Sequence, residues 1–420
     1  MADAPPLTVT GARLDSAQVS IRCAGGLIEG FGSDVAPEPE DEVLDAGGKL
    51  LLPPLVNGHT HAAMTLFRGF GDDLPLMEWL ERHIWPAEAK LTGEDVYWGT
   101  RLAAVEMIRS GTTRFFDMYW HGPDVARAVS DAGLRAVVSS VMIDRLDPKL
   151  GEGMRGEALE TIDRLSEAGP LITPSFGPHA IYTVSPESLR WLAEQAAERD
   201  LVLQIHLSET EQEVRDCLEA HGKRPAHHLD DLGFLGPRTL LAHGVWLDRE
   251  ELHLIAERGA TVVTNPAANM KLAVGAAFPY VEASGAGVRL ALGTDGVSSN
   301  SNLDMFEEVK LFSLLAKHTS ADPSVASAYE CMRIARGLRS PALGATPLEP
   351  GQPADFLLLD PDTPELVVGA LEADLAYAGP GSVVDTTVVA GRVLMRGREV
   401  AGEAEALAEV RERAARLTAA

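Results

Sequence analysis

The segment Pro54-Leu55-Val56-Asn57-Gly58-His59-Thr60-His61 is typical of a short apolar strand that ends in two histidines. Because successive side chains of a strand point to opposite faces, His59 and His61 leave this strand on the same face. Two imidazoles on one face can hold one metal ion, but an isolated His-x-His pair is equally compatible with an ordinary surface. The remainder of the chain has to decide between these interpretations.

Seven further apolar or β-branched segments follow, and amphipathic stretches such as Glu94–Ser110 and Pro186–Arg199 separate most of them. These segments are Thr112–Tyr119, Arg135–Ile143, Leu171–His179, Leu201–Leu207, Thr239–Val245, Ala260–Asn265 and Arg289–Asp295. Alternating strands and helices favour a parallel sheet, and eight such strands close a (β/α)8 barrel. We therefore predict an α/β fold with a TIM-type barrel over residues 53–345.

The sequence pattern at both chain ends differs from that of the middle, because it predicts short strands that Gly and Pro interrupt. The predicted strands are Leu7–Leu14, Gln18–Cys23, Leu27–Phe31, Asp355–Leu359, Val383–Val389 and Gly391–Leu394, and a helical tail begins at about Glu403. Two β-rich ends around an α/β middle predict one small β-sandwich domain, built from residues 1–52 and 346–420.

The charge composition of the chain indicates which classes of binding partner are unfavourable. The 420 residues include 36 basic and 62 acidic side chains, so the formal net charge is 36 − 62 = −26. Such an acidic surface repels phosphate backbones and anionic lipid, which argues against binding to nucleic acid or membranes. The three cysteines form no CxxC pair, and no apolar run or leader pattern suggests a membrane span or export, so a cytoplasmic protein is expected.

Metal-capable side chains recur where the predicted strands end, which is where (β/α)8 enzymes carry their active sites. These residues are His59, His61, His179, His206, His243, Asn265 and Asp295. We predict that His59, His61, His206 and Asp295 hold one Zn²⁺, with Fe²⁺ or another divalent ion as alternatives. The fourth strand does not end in a lysine that could bridge a second metal, and Gly293 and Gly296 beside Asp295 would let a ligand approach closely.

Two further polar side chains follow strand ends. Glu209 lies three residues beyond His206, where its carboxylate could exchange protons with water, and this position sets it apart from Glu211 and Glu213. His243 could polarise the water or the electrophile, act as a further ligand, or simply be a buried core histidine. We predict Glu209, His243 and Asp295 as the catalytic residues.

Five motifs in order make the chain similar to the amidohydrolase superfamily, in its cytosine deaminase and chlorohydrolase branch. They are the opening segment, Gln204-Ile205-His206-Leu207-Ser208-Glu209-Thr210, Ala242-His243-Gly244, Asn265-Pro266-Ala267-Ala268-Asn269-Met270-Lys271-Leu272 and Leu292-Gly293-Thr294-Asp295-Gly296. Leu348–Asp355 resembles the start of the family's final β segment. Within the branch, Leu66–Gly69, Leu76–Leu80, Trp85–Glu88 and Gly177–Thr183 resemble the 5′-methylthioadenosine/S-adenosylhomocysteine deaminases.

This resemblance implies hydrolytic deamination of an adenine nucleoside by a homodimer or homotetramer. It implies that Trp79 lines the substrate pocket, that Glu88 binds the ribose hydroxyls and that His179 contacts the nucleoside. Relatives that bind S-adenosylhomocysteine carry an arginine near the end of the third strand, where this chain reads Ser139-Ser140. Arg155, in the following loop, is the candidate for a second arginine of that family.

Several alternatives stay open on the sequence. Other deaminases and chlorohydrolases of the branch act on aminofutalosine, guanine, pterins or s-triazines, and would share the metal ligands. A non-catalytic barrel relative would be expected to lose ligands that this chain keeps. A phosphoesterase would need cations near the metal, and the motifs offer only Arg68 and Lys271.

Overall fold

Eight parallel strands from the middle of the chain form a nearly closed barrel in the computed structural model, which describes residues 5–419. A second sheet combines strands from both chain ends. In chain order the strands are β1 Leu7–Leu14, β2 Ala17–Ala24, β3 Leu27–Gly32, β4 Glu42–Asp45, β5 Leu50–Leu52, β6 Leu55–Thr60, β7 Thr112–Asp117, β8 Arg135–Met142, β9 Ile172–Pro178, β10 Val202–Leu207, β11 Thr239–His243, β12 Thr261–Thr264, β13 Arg289–Leu292, β14 Phe356–Leu359, β15 Val384–Val389, β16 Arg392–Arg396 and β17 Glu399–Val400.

Helices connect most of the barrel strands. The α-helices are α1 Leu76–Trp79, α2 Trp85–Glu88, α3 Gly93–Arg109, α4 Gly122–Ala132, α5 Pro148–Ser166, α6 Pro186–Arg199, α7 Glu211–His221, α8 Pro225–Asp231, α9 Arg249–Arg258, α10 Pro266–Lys271, α11 Tyr280–Gly285, α12 Val297–Asn300, α13 Met305–Ser320, α14 Ala328–Ala335, α15 Leu371–Tyr377 and α16 Glu403–Leu417. Short 3-10 turns span Ala62–Phe67, Pro341–Leu343 and Gly381–Val383, and a π-helical turn spans Leu80–Ile84. Within residues 5–419, no helix is long and apolar enough to cross a membrane.

The barrel contains the predicted strands in the predicted order. Each of the eight predicted segments includes one barrel strand, and β6 to β13 pair in parallel with their sequence neighbours. Apolar side chains fill the interior, and a larger core lies between the strands and the helices. The barrel interior cluster comprises Val56, Phe116, Val137, Val202, Leu240, Val263, Ala291 and Leu343.

The first and last barrel strands meet at a seam that Asn57 bridges. Its Nδ2 donates to Oγ1 of Thr294 over 2.7 Å, and its Oδ1 accepts the Thr294 N–H over 3.1 Å. A Cβ at Gly293 would lie 2.8 Å from the backbone N and O of His59, so only glycine fits there. Likewise, a Cβ at Gly296 would meet Sδ of Met64 at 2.6 Å. The expectation that these glycines admit a ligand is therefore wrong, because both pack against the protein itself.

The terminal sheet encloses its own small core, to which β1, β2 and β14 contribute Val9, Ile21 and Phe356. Sequence patterns predicted six of its strands but not the short β4, β5 and β17. Strand β5 of this sheet ends at Leu52 and β6 of the barrel begins at Leu55, on either side of the predicted boundary. The boundaries at 52/53 and 345/346 stay predictions.

A buried ion pair joins the barrel to the terminal sheet. Arg135 on β8 contacts both carboxylate oxygens of Asp355 at 2.7 and 3.1 Å, and Asp355 Oδ1 also accepts the Ala390 N–H over 2.8 Å. Asp355 is fully buried. Its carboxylate is therefore the counter-ion of a guanidinium that has little access to water.

Asp355→Ala is expected to lower the free energy of unfolding by about 3–5 kcal/mol, because it leaves a buried cation unpaired. Urea unfolding followed by circular dichroism measures this change. The matched control is Asp163→Ala on the exposed side of α5, which should change the free energy by less than about 0.5 kcal/mol. Equal effects of the two substitutions would show that the Arg135 pair contributes nothing.

Candidate active site

The predicted metal ligands come together at the carboxyl-terminal rim of the barrel. Nε2 of His206 lies 3.1 Å from Nε2 of His59 and 3.3 Å from Nε2 of His61. Oδ1 of Asp295 lies 3.2 Å from Nε2 of His61 and 3.6 Å from Nε2 of His59. One ligand atom from each of His59, His206, His243 and Asp295 fits within a span of 4.8 Å, so His243 also remains in reach of the same ion.

Hydrogen bonds on the far side of the imidazoles define which nitrogen faces the centre. Nδ1 of His61 lies 2.6 Å from the Met118 carbonyl, and Nδ1 of His206 lies 2.7 Å from the His179 carbonyl. A carbonyl accepts only from a protonated nitrogen, so in the neutral imidazoles both Nε2 atoms present lone pairs. Lone pairs and a carboxylate that face each other at about 3 Å repel unless a cation lies among them. The donor set therefore fits a divalent metal ion.

Two hydrogen bonds fix the position of Asp295. Oγ of Ser299 donates to its Oδ2 over 2.7 Å, and its own N–H donates to the His59 carbonyl over 3.0 Å. Asp295, His243 and Ser208 have left-handed backbones, with φ of 61°, 72° and 50°. Left-handed non-glycine residues occur where surrounding structure imposes them, and they cluster at active sites.

Glu209 and His243 lie beside the metal ligands. Oε2 of Glu209 is 3.8 Å from Nε2 of His243, and both side chains are buried. Nδ1 of His243 lies 2.8 Å from Oδ1 of Asn269, which accepts a hydrogen bond when Nδ1 carries the proton and leaves Nε2 facing the site. Burial raises the pKa of Glu209 above its ordinary value. A carboxyl group with a raised pKa keeps its proton to higher pH than an ordinary one, which suits exchange of protons with water.

A cleft that is partly open to solvent lies above these groups. Its floor and walls are lined by His61, Met64, Leu76, Trp79, Leu80, Ile84, Trp85, Glu88, Met118, Tyr119, Trp120, Val141, Ile143, His179, Tyr182, His206, Glu209, His243, Leu272, Asp295 and Ser299. The pocket therefore has polar groups at its base and a mainly apolar and aromatic wall.

Glu209, which is also predicted to contact the substrate, and three further predicted substrate residues line this pocket. Glu88 accepts from the Tyr119 hydroxyl over 2.7 Å and from Nε1 of Trp120 over 3.3 Å, and burial raises the pKa of its carboxyl group. The indole of Trp79 is fixed by its Nε1, which donates to the Phe70 carbonyl over 3.1 Å. His179 lies with its ring 4.8 Å from that of His206 and its Nδ1 2.9 Å from Oγ1 of Thr183.

Arg155 does not line the pocket, and its assignment to a loop is wrong. It lies within α5, which begins where the Asp147 side chain accepts the Lys149 N–H over 2.9 Å. Its guanidinium carbon is 5.3 Å from the ring centroid of Trp191, on the side of the barrel. A capping aspartate followed by Pro148 is the local signal for this helix.

Ser139-Ser140 also lies elsewhere than expected. Ser139 is inside the barrel, where its hydroxyl contacts Oγ of Ser175 and Nε2 of Gln204, both at 2.9 Å. The pocket-facing residues where β8 ends are instead Val141 and Ile143. The third strand therefore presents apolar side chains, and not hydroxyls, to the pocket.

Four supporting residues were not predicted: Asn57 at the seam, Asn269 behind His243, Ser299 behind Asp295 and Glu213 beneath Glu209. Only Glu213 had a usable signal, because Thr210-x-x-Glu213 matches a helix-capping pattern. The other three contacts join residues that are at least four positions apart through the fold of the rim loops.

The two basic residues considered for a phosphate site each form an ion pair with a carboxylate. The Arg68 guanidinium pairs with Glu106 at 2.6 Å, and Nζ of Lys271 pairs with Asp72 at 2.8 Å. No lysine or arginine lines the pocket within residues 5–419. The structure thus offers no cation for a phosphoryl group there, which argues against the phosphoesterase alternative.

Known proteins are similar to this chain over most of its length. One relative is the 5′-deoxyadenosine deaminase of Methanoregula boonei, 48% identical over 89% of this chain and 86% of its own. Another is the 5-methylthioadenosine/S-adenosylhomocysteine deaminase of Thermococcus kodakarensis, 46% identical over 85% of each chain. A solved adenosine deaminase from Xanthomonas campestris, with bound zinc, superposes with a TM-score of 0.89 at 33% identity and covers 98% of both chains.

The family assignment rests on most of the sequence. The model of the amidohydrolase family matches residues 50–394, which contain the complete barrel, the histidine and aspartate cluster and much of the terminal sheet. Together with relatives that are nearly half identical, this match shows that the chain belongs to the amidohydrolase family.

Proposed function

We propose that the protein is a metal-dependent deaminase that hydrolyses the 6-amino group of adenine nucleosides to give the inosine analogue and ammonia. The observation that carries the proposal is the position of Glu209, which is buried 3.8 Å from Nε2 of His243 and lines the same pocket as three of the predicted metal ligands. The names of the relatives, which are adenosine-type deaminases, support the same reaction class.

His59, His61, His206 and Asp295 would hold the metal, and we propose Zn²⁺, with Fe²⁺ or another divalent ion as alternatives. When bound, such an ion supplies the acidity that makes water a nucleophile near neutral pH. His243 would either orient the attacking water through Nε2 or serve as a further ligand. Ser299 and Asn269 keep Asp295 and His243 in place.

Glu209 carries the protons of the reaction. It accepts one proton from the attacking water and delivers a proton to the ring nitrogen beside C6, while the water oxygen bonds to C6. Asp295 accepts the second water proton and passes it to the departing amino group. The C6–N6 bond then breaks, ammonia leaves and the ring keeps a carbonyl oxygen, so atoms and charges balance.

The pocket wall supplies the contacts to the nucleoside. Trp79 offers an indole to the nucleoside, and His179 lies beside the metal ligands where the base would lie. Each oxygen of Glu88 has accepted one hydrogen bond and keeps a free lone pair, so the carboxylate can accept from both ribose hydroxyls.

The 5′ end of the substrate is proposed to be uncharged. Val141 and Ile143 line the pocket where strand β8 ends, and no arginine or lysine faces it among residues 5–419. A buried carboxylate without a cationic partner is costly. We therefore favour 5′-deoxyadenosine, 5′-methylthioadenosine and adenosine over S-adenosylhomocysteine.

Assembly into a homodimer or homotetramer and a cytoplasmic location stay predictions.

Ammonia release by the zinc-loaded protein tests this function. The panel comprises 5′-deoxyadenosine, 5′-methylthioadenosine, adenosine, S-adenosylhomocysteine, aminofutalosine, guanine, a pterin and a triazine. We expect turnover of the first three, with kcat/KM for S-adenosylhomocysteine lower by about tenfold or more, as the loss of one charge-assisted hydrogen bond predicts. Turnover of only aminofutalosine, guanine, pterin or triazine would make the substrate assignment wrong.

A further inference from the structure

Glu213 is a buried carboxylate beneath the turn that carries Glu209. It lies in the first turn of α7 and is 5% exposed. Its Oε1 accepts the N–H of Ser208 over 2.8 Å, and its Oε2 accepts the N–H of Glu209 over 2.9 Å. Each carboxylate oxygen thus holds one of two consecutive backbone amides.

These two amides belong to a strained turn. Strand β10 ends at Leu207, and Ser208 adopts a left-handed backbone with φ of 50°. Such a conformation persists only where surrounding contacts enforce it. Because the chain leaves the strand through this residue, the direction of the Glu209 side chain depends on the orientation of the Ser208–Glu209 peptide.

Helix capping does not account for the buried carboxylate. Oγ1 of Thr210 caps α7 by accepting the Glu213 N–H over 3.2 Å. In an ordinary capping box the glutamate carboxylate would accept a hydrogen bond from the Thr210 N–H. Here the Glu213 carboxylate accepts from the two preceding amides instead. Burial raises the pKa of Glu213 to about 7, so keeping this carboxylate ionised in the interior is unfavourable and needs a compensating gain.

Glu211 on the same helix provides the contrast. It is exposed and pairs with Arg215 at 2.6 Å, one helical turn away. The two glutamates have the same chemistry and nearly the same place in the sequence, but only Glu213 contacts the turn that bears Glu209.

We propose that Glu213 is a positioning residue, whose carboxylate clamps the Ser208 and Glu209 amides and so fixes the Glu209 carboxyl group for proton transfer. The proposal rests on the proposed deaminase function. It assigns Glu213 no contact with substrate or metal, and its effect on the reaction passes through Glu209.

The test compares Glu213→Gln with Glu211→Gln in steady-state kinetics on the best substrate of the panel. Glutamine keeps the shape but replaces one acceptor by an N–H donor, so one backbone amide faces another donor. We expect kcat of Glu213→Gln to fall about 100-fold, the loss typical of a small misplacement of a reacting group. KM should stay within about twofold, and Glu211→Gln should match the wild type. Zinc content and melting temperature are measured for each variant.

A double-mutant cycle separates positioning of Glu209 from a general structural role. In a Glu209→Gln background, adding Glu213→Gln should change the residual rate by less than about threefold, because the group that it positions is gone. The same fall in kcat in both backgrounds would overturn the proposal, as would loss of zinc or of the native fold in Glu213→Gln. If the wild type turns over no substrate, the proposed deaminase function is wrong. Failure of the proposed function and failure of the positioning role of Glu213 are therefore distinguishable.

Discussion

Glu209→Gln is expected to lower kcat about 10²–10⁴-fold, the usual contribution of a general acid and base. The amide cannot take a proton from water or deliver one to the ring nitrogen, yet it has nearly the same size as the carboxyl group. The side chain is buried and has its backbone N–H fixed by Glu213, so the substitution should leave the pocket in place. Ammonia release under single-turnover conditions measures the rate of the chemical step.

Zinc content and nucleoside affinity are the controls for this variant. Glu209 is not among the four predicted ligands, so metal analysis should find one zinc per chain in both proteins. Calorimetric titration with the reaction product should give a similar Kd for both. A variant that keeps more than about a tenth of the wild-type kcat would show that another group moves the protons.

His206→Ala is expected to abolish stable metal binding. Nε2 of His206 lies within 3.3 Å of both His59 and His61, and its Nδ1 is anchored to the His179 carbonyl. Loss of an outer partner of a metal ligand typically weakens affinity by about 10–100-fold, and loss of the ligand itself should exceed that range. Metal analysis after gel filtration, and competition with a chromogenic chelator, measure zinc content and affinity independently of activity.

His221→Ala is the matched control for the metal experiment. His221 is exposed at the end of α7, stacks on His228 with ring centroids 3.9 Å apart, and is not among the predicted ligands. This variant should keep one zinc per chain and full activity. Retention of zinc by His206→Ala would show that His243 and the other ligands suffice, whereas loss of zinc from His221→Ala would place the ion elsewhere.

Local sequence patterns were sufficient to predict the barrel strands and the polar residues at the rim of the barrel. Strand β6 and its partners are short apolar runs in which period and composition agree, and a polar residue type lies at or just beyond the end of most of them. Because parallel strands place all their carboxyl ends at one rim, order along the chain already implied that His59, His206 and Asp295 would meet. The structure brings their ligand atoms within hydrogen-bonding distance of one another or of His61.

Residues in the long connections could not be placed in this way. The sequence does not fix how the segments between β6 and β7 or between β8 and β9 fold over the rim, since side-chain direction there depends on distant contacts. Arg155 was expected near the substrate, but the Asp147 cap and Pro148 place it in a helix beside Trp191. Ser139 and Val141 are two residues apart and share the inner face of β8, so they differ in depth: Ser139 lies inside the barrel and Val141 lines the pocket at the rim.

The sequence by itself determined the (β/α)8 architecture and which histidine and aspartate side chains meet at its rim as candidate metal ligands, because these depend on periodicity and on residue types at strand ends. Only the tertiary structure decided which supporting groups hold the cluster. The capping pattern Thr210-x-x-Glu213 marked Glu213 in the sequence only as part of a helix start, and its burial and its contacts to two backbone amides appear only in the structure. The physical reason is that hydrogen bonds to rim loops form between segments whose distance is set by packing of the whole barrel, and local sequence carries no record of that packing.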